Sequence, residues 1–180
     1  MAVSIRSVSH ADLEALVPAL VDVLADAVNA GAGLGFLAPL DPELARDYWL
    51  SLRPELKAGS RLLMVAFSEG RLVGSGQLAI PRWATARHRV ELQKLFVART
   101  LRGRRIGAAL VTALHDWAWQ RGRSLVMLNA RRGSPAEGFY RALGYREAGV
   151  VPGYSVGSAG ERYDTLHLYQ ELWLPQLLAS

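Results

Sequence analysis

Val3, Ile5 and Val8 alternate with polar residues, with one slip of phase at Ser7, and predict a short strand over Val3 to Val8. Helical spacing takes over after Ser9. Leu13, Leu16, Val17, Leu20, Leu24, Ala27 and Val28 share one face of a helix. Pro18 lies inside that pattern and is expected to bend or break it, because proline has no N–H to donate and its ring crowds the preceding turn. The stretch from Asn29 to Gly35 is rich in glycine and reads as a loop. Asp41 followed by Pro42 has the form of an N-cap with proline at the first helical position, and predicts a second helix to about Lys57.

From Arg61 the run Leu62-Leu63-Met64-Val65-Ala66-Phe67 has the length and make-up of a buried strand. Glu69-Gly70 supplies a turn, and Leu72 to Ile80 is its antiparallel partner, ended by Pro81. A polar connection from Arg82 to Arg89 leads to a third strand, Val90 to Val97. Ile106, Leu110, Ala113, Leu114 and Trp117 form the apolar face of a helix from Ile106 to about Arg121, stopped by Gly122. Leu125 to Leu128 is another buried strand. Ser134-Pro135-Ala136-Glu137 has the form of a capping box and opens a helix that ends at Gly144. Tyr145 to Val151 and Thr165 to Leu172 are the last strands. The order implies a mixed α/β fold on one central sheet, within a single domain over residues 1–180. It is not a doubly wound dinucleotide fold, since the arginine-glycine turn after Val97 follows a three-strand antiparallel run.

Composition narrows the chemistry. The chain has 180 residues, of which 51% are apolar, enough to bury a core. No apolar run reaches the ~18 residues of a membrane span. The first residues lack the pattern of a signal peptide, so a cytoplasmic enzyme without a membrane partner is expected. The absence of cysteine excludes disulfides, thiolate metal sites and a cysteine nucleophile. His10, His88, His115 and His167 have no metal-ligand spacing, so no metal is expected. The formal charge is +5, carried almost wholly by arginine, with Lys57 and Lys94 the only lysines. Arg99, Arg102, Arg104 and Arg105 form the densest cluster. They lie in one turn beside a pair of glycines, with no stacking aromatics between them, which favours a compact phosphate ligand over nucleic acid.

That turn is Arg102-Gly103-Arg104-Arg105-Ile106-Gly107, between a strand and a helix. The free amides of a helix start and the helix dipole attract anions, and small residues such as Gly107 and Ala108 admit a phosphate close to the backbone. The turn lacks the Gly-Lys-Ser/Thr ending of a nucleotide-triphosphate loop. A bare glycine-containing helix start with solvated arginines has the same local appearance.

The segment resembles the acetyl-CoA motif of the GNAT superfamily of N-acetyltransferases, Gln/Arg-x-x-Gly-x-Gly/Ala, with Arg102 at the first position and Gly107 at the last. Arg105 stands where the family has a glycine, and must adopt the backbone conformation that position needs. Phe139-Tyr140-Arg141-Ala142-Leu143-Gly144-Tyr145 is similar to the family's Tyr-x-x-x-Gly-Phe/Tyr signature. Residues 29–36, 90–95, 133–140 and 151–154 resemble the tabtoxin resistance subgroup, whose members acetylate small amines, including an amino-acid-like antibiotic. The resemblance implies a splayed central, mostly antiparallel sheet flanked by helices, acetyl-CoA in the gap as cosubstrate, and a small-molecule primary amine entering from the other side. Homodimers are common in this superfamily. Acetylation of a protein N-terminus or lysine, and a non-catalytic acyl-CoA-binding module, are the competing readings.

Acetyl transfer to an amine needs a neutral amine, a stabilised oxyanion and a protonated leaving thiolate. Glu91 is the candidate base. It lies between Val90 and Leu92, and apolar neighbours make a carboxylate a stronger base; pairing with Lys94 or Arg89 is the alternative. The resemblance points to the same glutamate, and to Tyr140 as the acid toward the thiolate, against which stands an ordinary core tyrosine. It further implies oxyanion donors among the amides of Leu95, Phe96 and Val97, and cofactor contacts from Arg102 to Ala108 (Arg102, Gly103, Arg104, Arg105, Ile106, Gly107, Ala108), Asn129 and Ser134. Asn129 departs from the aspartate of the tabtoxin-type relatives. It can hydrogen-bond pantetheine or acceptor but cannot serve as a base. Phe36, Trp83 and Tyr154 are the remaining candidates for the acceptor side, or ordinary packing aromatics.

Overall fold

A computed structural model of the chain describes residues 3–172. Its strands are β1 (Val3–Ser7), β2 (Arg61–Ser68), β3 (Arg71–Ala79), β4 (Arg89–Val97), β5 (Leu125–Arg131), β6 (Arg146–Val156) and β7 (Arg162–Glu171). The helices are α1 (Leu13–Asn29), α2 (Pro42–Ser51), α3 (Arg53–Lys57), α4 (Ile106–Trp119) and α5 (Pro135–Ala142). All seven strands join one sheet in the order β1-β2-β3-β4-β5-β7-β6, and every neighbouring pair is antiparallel except β4 with β5.

Both faces of the sheet are covered. On one, α4 sets Leu110 and Leu114 against Val90, Leu92, Val126, Leu128 and Leu168. On the other, α1 and α2 set Leu13, Leu20, Leu24 and Trp49 against Leu63, Val65 and Phe96. β2 therefore serves two cores at once, Leu62, Met64 and Ala66 facing one and Leu63 and Val65 the other. A strand buried on both faces has no polar side to show, and this is why its sequence is a continuous apolar run.

Several expected boundaries move. Pro18 does not break α1, which is continuous from Leu13 to Asn29. The proline is exposed near the start of the helix, so the one carbonyl that loses its donor lies on the solvent side, while Val17 and Leu20 hold the turn in the core. The proline that does interrupt is Pro54. The helix expected from Asp41 to Lys57 divides at Leu52 into α2 and α3, since Pro54 has no N–H with which to continue the α2 ladder. Asp41 caps as anticipated, accepting from the Glu43 amide at 2.9 Å. The capping box at Ser134 does not form. Ser134 Oγ donates to the Arg131 carbonyl at 2.6 Å, and Glu137 instead accepts from the Gly133 amide at 2.7 Å. β5, β6 and β7 are longer than their apolar cores suggested, because pairing at Asn129↔His167 and Arg131↔Thr165 carries polar residues along.

Candidate active site

β4 and β5 pair only at Arg89↔Leu125, Val90↔Val126 and Glu91↔Met127. From Leu92 and Leu128 onward the strands have no mutual register, so the sheet opens into a V with Glu91 at its apex. Parallel pairs are held by slanted bonds and tolerate such a parting when each strand keeps its outer partner. Here β4 keeps β3 and β5 keeps β7.

Alternation along the strands assigns the faces. Val90 and Leu92 point to α4, so Glu91 and Gln93 point to the α1–α2 side. On β5, Leu128 and Ala130 also pack with α4, which turns Asn129 to the same side as Glu91. Asn129 is exposed there, and its register partner His167 meets the Tyr154 ring at 5.9 Å. Phe36 lies on that side too, edge-on to Tyr48 at 5.3 Å. Trp83 is 76% exposed in the connection between β3 and β4 and joins no aromatic cluster among the described residues, so the structure gives it no fixed place beside the others.

A bulge distorts β4 within the V. Ser75 pairs with Phe96 but Gln77 pairs with Gln93, so β4 holds one residue more than β3 between those pairs. Lys94 adopts φ 49° there, and neither Lys94 nor Leu95 has a register partner on β3. Of the candidate oxyanion donors, Phe96 and Val97 face Ser75 and Gly74, and Leu95 is the one left over. The bulge also brings Gln93 and Lys94 to the same face. Two polar residues in succession, Gln93-Lys94, were its sequence signal.

The arginine-glycine turn opens α4 as its pattern implied. Ala98 donates to the Val73 carbonyl at 2.8 Å, Arg99 N to Asp26 Oδ2 at 2.7 Å, and Arg102 Nε to the Val97 carbonyl at 3.3 Å. These bonds fix the turn to β3, α1 and the end of β4. Gly103 has φ 76° with open space around it, so glycine is needed for its conformation rather than for room. Arg105 is the residue before the helix and sits at φ 62°, ψ 7°, the left-handed region. The first bond closing the helix runs from Ala109 N to Arg105 O at 3.0 Å, which leaves the amides of Ile106, Gly107 and Ala108 directed out of the helix end. Gly107 also lies beside α5, where an added Cβ would stand 3.4 Å from the Phe139 ring, an ordinary van der Waals contact. Ser134 begins α5, held to β5 by its bond to Arg131.

Tyr140 comes from α5 on the α4 side of the sheet, 7% exposed, with ring centroids 5.1 Å from Phe139 and 5.4 Å from Tyr145. Burial pushes its phenol well above the usual tyrosine value. It is protonated at neutral pH, and among the described residues nothing hydrogen-bonds to its hydroxyl. Beside it, Tyr145 Oη and His115 Nε2 share a hydrogen bond of 2.7 Å, and burial holds His115 down to about 4. The glutamate and tyrosine thus stand on opposite faces of the sheet with the V between them. A thioester lying in the V would meet a carboxylate from one side and a phenol from the other.

Lys94, in the sequence only a possible partner for Glu91, has a more definite place in the structure. Its ammonium lies 5.4 Å from the Phe36 ring centre and 5.3 Å from that of Tyr48, half-buried. Burial first, then the charge of Arg61, lowers its pKa, while Glu91 acts the other way. Beneath it runs a polar network. Gln77, fully buried, accepts from Tyr48 Oη at 3.1 Å and from Arg61 at 3.0 Å, and Arg61 also reaches Gln93 at 3.0 Å. Among the described residues no group of three acidic or histidine side chains is placed to hold a metal ion, and no helix is long and apolar enough to cross a membrane.

Residues 33–145 match the model of the acetyltransferase (GNAT) family. An uncharacterized N-acetyltransferase in the hisH-hisA intergenic region of Azospirillum brasilense is 32% identical over 114 residues, covering 62% of this chain and 66% of that protein. The chain therefore aligns with just under two thirds of that relative's length. The ribosomal-protein-alanine N-acetyltransferase from Brucella melitensis has a similar structure, with TM-score 0.76 and 27% identity over 94% of this chain and 99% of its own. The fold is shared with yncA from Salmonella typhimurium, solved with its cofactor acetyl-CoA, at TM-score 0.71 and 17% identity over 96% of this chain and 95% of that one.

Proposed function

Because the chain belongs to the acetyltransferase (GNAT) family, we propose that it transfers the acetyl group of acetyl-CoA to a primary amine of a small molecule, by direct attack in a ternary complex. The observation that carries this reading is the V itself, with Glu91 at its apex and the α4 start at its open end. The amides of residues 103–108 hold the pyrophosphate, with Arg102 and Arg104 adding charge at the rim. Glu91 takes the proton of the acceptor's ammonium and frees its lone pair. The amine nitrogen then bonds to the thioester carbonyl carbon, the Leu95 amide steadies the oxygen, and the C–S bond breaks. Tyr140 gives its proton to the departing sulfur, the amide nitrogen sheds its surplus proton to water, and the Tyr140 phenolate takes one back. Asn129, on the same face as Glu91, orients the acceptor without exchanging a proton. Ser134 holds the start of α5 and is a cofactor contact only through the backbone it fixes. Phe36 and Tyr154 wall the acceptor side, and Trp83, exposed in the β3–β4 connection, is the remaining aromatic candidate for contact with the acceptor.

The four stretches resembling the tabtoxin resistance subgroup support a small acceptor, and a cysteine-free chain suits a cytoplasmic place of action. The likeness to the Brucella enzyme favours a second reading, acetylation of a protein N-terminus. Calorimetry with acetyl-CoA, followed by thiol release on small amines and on alanine-ended peptides, separates the two. Glu91→Gln should lower kcat/KM by about a hundredfold, within the range for loss of a general base, and remove the acid limb of its pH profile. An unchanged profile takes the base role from Glu91.

A further inference from the structure

The loop between α1 and α2 crosses the acceptor face of the V, and two cations lie against it. An added Cβ on Gly35 would stand 3.2 Å from Lys94 Nζ, and one on Gly33 would stand 3.6 Å from Arg131 Nη2. Gly35 takes φ 79°, which also favours glycine. One cation comes from β4, the other from β5, and the loop bridges them. Among the described residues neither belongs to an ion pair. Arg131 stacks on Tyr163 at 3.7 Å, and its buried Nε has no hydrogen-bond partner. The nearby Glu161 is engaged by Tyr163 Oη at 2.6 Å and by the Ala159 amide at 2.9 Å. Lys94 has aromatic faces on two sides, and among the described residues no oxygen accepts from its ammonium.

We infer that the acceptor carries a carboxylate or similar oxyanion besides its amine, and that Lys94, seconded by Arg131, holds that anion under the Gly33–Gly35 loop. This rests on the acetyl-transfer reading above and specifies its acceptor. A half-buried ammonium without an oxygen partner is costly, and an anionic ligand removes that cost. The Phe36 and Tyr48 faces fix the direction of the Lys94 ammonium. Glu91 lies one bulge away on the same strand, so a molecule with an ammonium and an anion finds an opposite charge at each end. A polyamine would bring a second cation to Lys94 and be repelled, and a peptide N-terminus would offer it only a neutral amide.

The test compares L-alanine, L-leucine and L-glutamate with the α-carboxamides of the same amino acids and with spermidine, read by thiol release. The free acids should exceed their carboxamides in kcat/KM by about tenfold to a hundredfold, the range of a charge-assisted hydrogen bond. Lys94→Gln should erase that preference through KM, and Lys94→Arg should restore part of it. Equal use of acids and carboxamides by the unaltered protein overturns the inference whether or not the variants fold. So does turnover confined to spermidine or carboxamides, or a preference that survives Lys94→Gln at an unchanged melting temperature. Acetyl-CoA binding with none of these amines acetylated also overturns it. Failure to bind acetyl-CoA at all sinks the acetyl-transfer reading instead.

Discussion

Arg105→Gly separates the two ways the α4 turn can hold a phosphate. Arg105 stands at φ 62°, ψ 7°. An L-residue pays about 1–2 kcal/mol for that left-handed conformation. Glycine takes it without strain but gives up about 0.4–1 kcal/mol through its freer unfolded chain. The net change runs from about nil to a stabilisation of about 1.6 kcal/mol, or up to about 6 °C in melting temperature for a chain of this size. The same change deletes one charge of the arginine cluster while leaving the outward amides of Ile106, Gly107 and Ala108 in place. If those amides hold the pyrophosphate, acetyl-CoA affinity should fall by no more than about threefold, the scale of one exposed charge. Thermal unfolding and calorimetry at a fixed salt concentration read both quantities. Gly103→Ala is the counter-experiment. At φ 76° it should cost about 1–2 kcal/mol and weaken binding by distorting the same amides. An unchanged or raised melting temperature joined to a tenfold or greater loss of affinity in Arg105→Gly would make the guanidinium, and not the amides, the holder of the phosphate.

Tyr140→Phe should lower kcat by about tenfold to a thousandfold while acetyl-CoA affinity stays within about threefold; a loss confined to binding would mark Tyr140 as packing alone. His115 binds fewer protons folded than unfolded, because its pKa is depressed to about 4 from the usual 6.5. Its contribution is therefore complete above pH 6.5 and is lost as the pH falls from 6.5 toward 4. The loss amounts to about 3 kcal/mol, read as the slope of unfolding free energy against pH, and His115→Gln should flatten it. Tyr145→Phe, which leaves the buried His115 nitrogen without its 2.7 Å partner, should cost about 1–3 kcal/mol in urea unfolding with kcat little changed.

Much of the fold is written in short-range order. The apolar runs of β2 and β3, the helical face from Leu13 to Val28 and the turn from Arg102 to Gly107 each have a spacing that only one element satisfies, and each forms where that spacing puts it. The candidate pair Glu91 and Tyr140 was legible for a different reason. Both stand in segments similar to a known family, whereas burial alone would have made Tyr140 a core residue. Pro18 and Pro54 show the limit of local rules. The same residue type is harmless where its ring faces water and Val17 and Leu20 anchor the helix, and decisive where Leu52 must turn the chain between α2 and α3. The capping box at Ser134 failed because the Arg131 carbonyl, brought close by the end of β5, took the hydroxyl first.

The succession of elements and the arginine-glycine turn that opens α4 are local matters, since both depend on residues within a few positions of one another. Tertiary structure decided that β4 and β5 part after Glu91, that a bulge turns Lys94 into the opening, and that Gly35 and Gly33 lie against cations some sixty and a hundred residues away in the chain, respectively. Those features come from strand register and from which side chains meet across the sheet. Register between distant segments is fixed by the packing of both cores together, and no local spacing records it.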